Sequence, residues 1–249
     1  MPHPALQHTD HRPWPIPSSP WTMAQRWSNL LFAHWPVPLE LLRSEIPDVL
    51  EIDTFEGEAW IGIVPFELRI RPRLLPVVPA IAAFPEINVR TYVTHQGRPG
   101  VWFFSLDATS PLAVRLARWA FHLPYFDARM AANTEGQTMA FRSERRKAAV
   151  ATRFFAAYRP VSDVFLASTG SLDAWLTERY CLYAADGKGR VARTEVHHQP
   201  WPLQKAACEI EQNSMTAPLG FELSGEPLLH YSKRIDVVNW LPQRLAAAP

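Results

Sequence analysis

Cysteine is nearly absent from this chain: Cys181 and Cys208 are the only two in 249 residues. A disulfide scaffold is excluded, and two buried free thiols in a cytosolic protein are expected. No apolar run approaches the roughly 20 residues that span a bilayer, and no charged segment followed by an apolar one opens the chain. The expectation is a cytoplasmic protein without membrane contact. Excess charge of either sign is lacking too, with a formal net charge of +1, so no basic field for nucleic acid is implied. There is no phosphate-binding glycine loop, nucleophile elbow or dinucleotide fingerprint; Gly187-Lys188-Gly189 reads as a turn. Neither cysteine sits in a motif that marks a nucleophile.

What the chain does have is proline, 24 residues, and tryptophan, 10. Proline at about twice its usual frequency argues against a bundle of long helices. Hydrophobic residues at 47 % suffice for a core. Residues 1–20, with six prolines among His and Ser, read as an extended, poorly ordered arm. Residues 21–249 read as one domain, since no repeat or composition shift divides them.

Many short strands with a few brief helices are expected. Residues 38–46 suit a short helix ended by Pro47, and residues 49–55 a strand. Residues 59–70 suit a long strand in which Pro65 marks a bulge or an edge. Residues 71–79 form a proline-studded loop suited to closing a barrel end. Ser110 and Pro111 begin a helix carrying Leu112, Leu116 and Trp119. Residues 126–161 suit three strands, with turns near 134–136 and 143–145. Ser171 caps a helix to about residue 180. A hairpin over 180–197 and strands at 206–212 and 228–240 complete the pattern, which suits a mainly β (α+β) barrel or sandwich.

The hairpin formed by residues 84–95 and 100–109, turning at 96–99, carries the chemistry. Side chains alternate faces along a strand. Ile87, Val89, Thr91 and Val93 make an apolar face, and Glu86, Asn88, Arg90 and Tyr92 a polar one. If His95 pairs with Gly100, then Asn88 lies opposite Asp107, Arg90 opposite Ser105 and Glu86 opposite Thr109. A slip of one residue would turn the partner strand over. The polar face either lines a barrel interior or meets solvent. In the first case Arg90 suits a carboxylate through its forked donors, and Glu86 or Asp107 suits general acid–base work.

Other candidates have two readings each. His34 is either a proton donor in a pocket or a partner for backbone groups at a helix entry. Arg129 is either a second anion clamp or the partner of Asp127. Arg179 beside Glu178 reads as an ordinary surface pair. Glu195 and His197 share a strand face, but a metal would need further ligands from His34, His95 or His230, and nothing in the spacing demands one. No metal and no cofactor are expected. Trp201, between Pro200 and Pro202, suits a barrel end.

The segments Phe32-Ala33-His34-Trp35-Pro36-Val37-Pro38, Phe84-Pro85-Glu86-Ile87-Asn88-Val89-Arg90-Thr91-Tyr92-Val93 and Gly100-Val101-Trp102-Phe103-Phe104-Ser105-Leu106-Asp107 resemble the YqjF-like family of uncharacterised bacterial proteins. Glu178-Arg179-Tyr180-Cys181-Leu182-Tyr183, residues 198–203 and residues 229–240 continue the likeness. That family resembles acetoacetate decarboxylase in fold, which implies an antiparallel β-barrel decorated by a few short helices around a polar pocket. The decarboxylase forms a Schiff base on a lysine. The resemblance puts that lysine near residues 104–107, where none occurs, and Ser105 and Asp107 cannot replace an amine. Lys147, Lys188, Lys205 and Lys233 are the chain's only lysines.

The resemblance therefore implies a pocket for a small organic acid or carbonyl compound. Arg90, Asn88, Tyr92, Ser105, His34 and Arg129 are its candidate ligand-binding residues. Glu86 and Asp107 are its candidate proton carriers, for proton transfer or a lyase-like step without a Schiff base. The alternatives are a sensor or carrier without catalysis and an interaction module. A homodimer formed through barrel edges is compatible with such a fold.

Overall fold

The computed structural model describes residues 3–74, 82–110, 115 and 121–245. Its strands are β1 (Met23–Val37), β2 (Glu51–Ile52), β3 (Ala59–Pro72), β4 (Ala83–His95), β5 (Arg98–Ala108), β6 (Tyr125–Glu135), β7 (Thr138–Arg145), β8 (Arg153–Pro160), β9 (Cys181–Ala185), β10 (Val191–His198), β11 (Gln204–Asn213), β12 (Leu228–Asn239) and β13 (Gln243–Arg244). Among the described residues, two short α-helices stand out, α1 (Glu40–Arg43) and α2 (Leu172–Thr177). The Ser171 hydroxyl caps α2 by accepting from the Ala174 amide at 3.2 Å. The expected helix after Ser110 and most of the loop after Arg71 lie outside the described residues.

The strands form one sheet that closes on itself twice. One closed ring runs β1-β3-β4-β5-β6-β7-β8-β11-β12, nine strands; a second runs β1-β3-β4-β5-β9-β10-β12. Both share β12, β1, β3, β4 and β5, so each face of these strands is buried by a different wall. One face carries Leu31, Ala33, Ile63, Ile87 and Val89 against Phe141, Phe154 and Tyr158. The other carries Phe32, Val64, Phe66, Phe84 and Leu106 against Trp201, Leu203 and Val237. The pairing is antiparallel except that β5 runs parallel to both β6 and β9. The barrel is therefore mixed, a correction to the antiparallel one expected.

Two bulges set the faces. Ser28 pairs with Glu67 but Ala33 with Ile63, so β1 carries one extra residue there, next to Pro65 of β3. Proline has no amide to donate, which suits this break in the ladder. Asn29, with φ 50°, takes the left-handed turn of that bulge. On β5, Arg90 pairs with Phe103 and Val89 with Ser105, leaving Phe104 as the extra residue.

Several boundaries differ from the sequence reading. The 143–145 turn lies inside β7, and the segment expected as a strand at 49–55 is a strand only at β2, with a lone bridge from Phe55 to Glu58. β1, the longest strand, was not foreseen as one. The largest correction concerns residues 1–20. The proline-rich arm packs along the outer face of β10, where the Arg12 guanidinium meets Glu195 at 2.5 Å and donates to the carbonyls of Val196 and Tyr180. Trp14 Nε1 donates to the same carboxylate, and His11 stacks on His197. Composition suggested a loose arm because it has no apolar period; the arm is held by the Glu195 carboxylate, by Gln199 and Trp240 donating to its carbonyls, and by Ala5, Leu6 and Ile16 against Val238 and Trp240.

Candidate functional site

The register of the β4–β5 hairpin decides which polar groups meet. The turn at Gln96-Gly97 has φ of 50° and 71°, the left-handed pair of a two-residue hairpin. His95 then pairs with Arg98, not Gly100, and after the Phe104 bulge Asn88 pairs with Leu106 and Ile87 with Asp107. The slip turns β5 over. Asp107 and Ser105 thus share a face with Ile87 and Val89, away from Glu86, Asn88 and Arg90. The Arg145 guanidinium holds Asp107 through two bonds of 3.0 and 2.8 Å. Arg129 is exposed on β6, outside any such cluster.

Glu86, Asn88, Arg90 and Tyr92 point into the seven-strand ring and are buried, Glu86 at 3 % and Arg90 at 8 % exposure. The neighbouring strand makes room for Arg90. Gly62 of β3 lies between His34 of β1 and Arg90 of β4 in the ladders. A Cβ at Gly62 would come within 2.8 Å of the His34 ring. Glycine is required there by a close approach of side chains, its backbone φ not being left-handed.

The Arg90 guanidinium sits 5.1 Å from the centre of the Phe32 ring and 5.9 Å from that of Tyr92. No carboxylate among the described residues forms an ion pair with it. The other buried arginines have one: Arg12 with Glu195, Arg145 with Asp107, Arg179 with Asp53. Arg179 also stacks on Tyr92, at 4.7 Å. It had read as a surface residue; its carboxylate partner, Asp53, is distant in the chain, so no local signal marked it. The neighbouring Glu178 accepts from the Trp201 amide and the Tyr180 hydroxyl. Trp201 lies inside, packed edge-on against Phe32.

The Glu86 carboxyl is pushed up to about 8, first by burial and further by the nearby Asp107 carboxylate, against the 2.8 Å bond donated by the Tyr125 hydroxyl. At neutral pH it is mostly a neutral acid. The same Tyr125 lines an open hollow of about 310 Å³ with His122, Leu123 and Asp186. A second hollow of that size lies outside, between Tyr158 and Cys208. Neither is lined by Glu86, Asn88 or Arg90.

Several buried polar atoms have no hydrogen-bond partner among the described residues: Arg90 Nε, Asn88 Oδ1, His34 Nδ1, His230 Nδ1 and Ser232 Oγ. All belong to the same interior face, since His230 pairs with Phe32 and Ser232 with Leu30 across β1 and β12. Among the described residues no group of three His, Cys, Asp or Glu side chains is placed to hold a metal. Glu195 is already engaged by Arg12 and Arg193. The four lysines are all exposed. None lines the interior, so no Schiff-base amine is available there.

Solved structures share this fold. An acetoacetate decarboxylase-like enzyme from Sphingomonas wittichii RW1 matches 92 % of this chain and 95 % of its own, with a TM-score of 0.62 at 12 % identity. The enduracididine biosynthesis enzyme MppR, complexed with the condensation product of pyruvate and imidazole 4-carboxaldehyde, matches 92 % and 90 % with a TM-score of 0.64 at 11 % identity. Acetoacetate decarboxylase from Legionella pneumophila subsp. pneumophila str. Philadelphia 1 matches 94 % and 93 %, with a TM-score of 0.58 at 12 % identity. The fold is thus an acetoacetate decarboxylase-like β-barrel with few short helices. The chain belongs to the DUF2071 family, described as "Uncharacterized conserved protein (COG2071)", whose model matches residues 24–236. It is 49 % identical over 227 residues to "Uncharacterized protein YqjF" of Bacillus subtilis (strain 168), covering 90 % of this chain and 93 % of that one. No helix among the described residues is long and apolar enough to cross a membrane.

Proposed function

We propose that the interior of the seven-strand ring binds a small organic acid through Arg90. The observation that carries this reading is a buried guanidinium that no carboxylate among the described residues neutralises, with the Phe32 ring 5.1 Å and the Tyr92 ring 5.9 Å away. A buried charge without a partner is costly, and a carboxylate ligand supplies the missing one with two matched acceptors. Asn88, one pleat along β4, orients the ligand. The neutral Glu86 acid, next on the same face, is the proton carrier. Asp107 faces the other way and has no part in this scheme.

A compact ligand fits best, because Arg90 lines neither of the two hollows of about 310 Å³. The pyruvate-derived product in the MppR complex is a ligand of this class in a protein of the same fold. The exposed lysines favour a second reading, a carrier or sensor of such acids without turnover. Thermal melting with pyruvate tests the first point. The expected result is a rise in Tm that grows with pyruvate concentration and is lost in Arg90→Gln. Equal shifts in both proteins, or none in either, count against the site. Turnover of bound acid then separates enzyme from carrier.

A further inference from the structure

We propose that His230, oriented by Asp173, is the proton acceptor of this interior site. The inference rests on the Arg90 reading and adds the group that reacts. His230 Nε2 lies 3.0 Å from Asp173 Oδ1. A carboxylate only accepts, so Nε2 carries the proton and Nδ1 keeps its lone pair. That Nδ1 is buried and has no hydrogen-bond partner among the described residues, in a residue only 3 % exposed. Its neighbours across β1 are Phe32, over which Arg90 sits, and diagonally His34.

The dyad also reaches solvent. Asp173 stands on the first turn of α2 with a side chain 34 % exposed, so a proton taken up inside has a route out. The charged and titratable groups facing His230 are Asp173 from α2, Lys205 from its partner position on β11, and His34 from β1. Asp173 favours the imidazolium, while burial and Lys205 oppose it, and the balance keeps His230 neutral and able to accept.

The substrate class is a 2-oxo acid with a hydrogen on the carbon next to its carbonyl. Its carboxylate pairs with Arg90. The C–H proton passes to His230 Nδ1, and the C–H electron pair becomes the enolate. Returning the proton, or one exchanged through Asp173, restores the acid, so the cycle consumes no oxidant or co-reactant.

The test is pyruvate in D2O, with methyl hydrogen exchange followed by proton NMR and binding followed by calorimetry. The wild-type chain is expected to bind pyruvate and speed exchange. His230→Gln is expected to bind within about 3-fold of wild type but to lose roughly 100-fold or more in exchange, the usual range for a general base. Asp173→Asn, a change on a partly exposed helix, is expected to keep binding and move the acid-side, rising limb of the exchange–pH profile to lower pH, because Asp173 raises the imidazole. Binding without exchange in the wild-type chain, or exchange untouched in His230→Gln, overturns the dyad and leaves the Arg90 reading standing. Failure of the wild-type chain to bind pyruvate overturns the Arg90 reading and the dyad with it.

Discussion

His34 donates a hydrogen bond to Tyr92. The two polar atoms lie 2.6 Å apart, and the Tyr92 hydroxyl gives its single proton to the Leu176 carbonyl at 2.8 Å. The phenol oxygen can only accept from the histidine, so Nε2 is protonated and Nδ1 bears the lone pair. Burial, helped by the Arg90 charge, drives the His34 imidazole well below its ordinary value, and it stays neutral. A proton-donating role toward a ligand is therefore excluded for His34. It is fixed as an acceptor.

The packing of His34 predicts the effect of Gly62→Ala. The new methyl would meet the His34 ring at 2.8 Å and Arg90 Cγ at 3.5 Å. Overpacking of this kind costs about 1–3 kcal/mol, and denaturant unfolding should show a loss of that size. Gly187→Ala, with nothing within 4 Å of its added Cβ, serves as the control and should change stability little.

Glu86 predicts a pH dependence with a definite sign. Its folded value of about 8 lies above the ordinary 4.5, so between these limits the native state binds the extra proton. Its contribution to stability is full below pH 4.5 and is lost as pH rises through 8. Glu86→Gln keeps an acceptor for Tyr125 and removes the titration. The variant should therefore gain on wild type by up to a few kcal/mol between pH 5 and pH 9, read from urea midpoints at each pH.

Asp107 and Arg90 should separate stability from binding. The two Arg145 bonds bury Asp107 as half of an ion pair joining β5 to β7. Removing one partner of such a pair costs about 3–5 kcal/mol, so Asp107→Ala should lower the unfolding midpoint strongly. In material still folded, pyruvate affinity should stay near wild type, because Asp107 faces away from the site. Arg90→Gln should give the opposite pattern.

The amino-terminal arm predicts a loss where a loose tail would give none. Arg12 reaches a Glu195 carboxylate that also accepts from Arg193 at 2.9 Å and Arg98 at 3.3 Å. With those two arginines remaining, Arg12→Ala should cost about 3 kcal/mol, the lower end for a broken buried pair. Removing residues 1–20 should cost more, since Trp14 and His11 leave as well. Thermal melting checks both. Unchanged melting of the truncated chain would mean that the arm does not hold β10.

Much of this was legible in the residues themselves. Alternation along residues 84–95 was enough to put Glu86, Asn88, Arg90 and Tyr92 on one face, because a strand's side-chain period does not depend on its neighbours. The lack of a lysine at residues 104–107 was legible as well, but that Lys205 and Lys233 point to solvent was not. The Ser171 cap and the 186–189 turn are local signals, and both hold in the structure. What faced that polar row could not be read. One extra residue at Phe104 turns β5 over, and such a bulge depends on packing against both faces at once. Whether the row met solvent or an interior depended on a sheet closing twice around shared strands. The partners of Arg179, His230 and Arg12, namely Asp53, Asp173 and Glu195, lie far from them along the chain. The sequence by itself determined which groups each strand carries, since alternation, turns and caps act over a few residues. Only the tertiary structure decided which groups meet, since registers and buried ion pairs form between segments that no local rule connects.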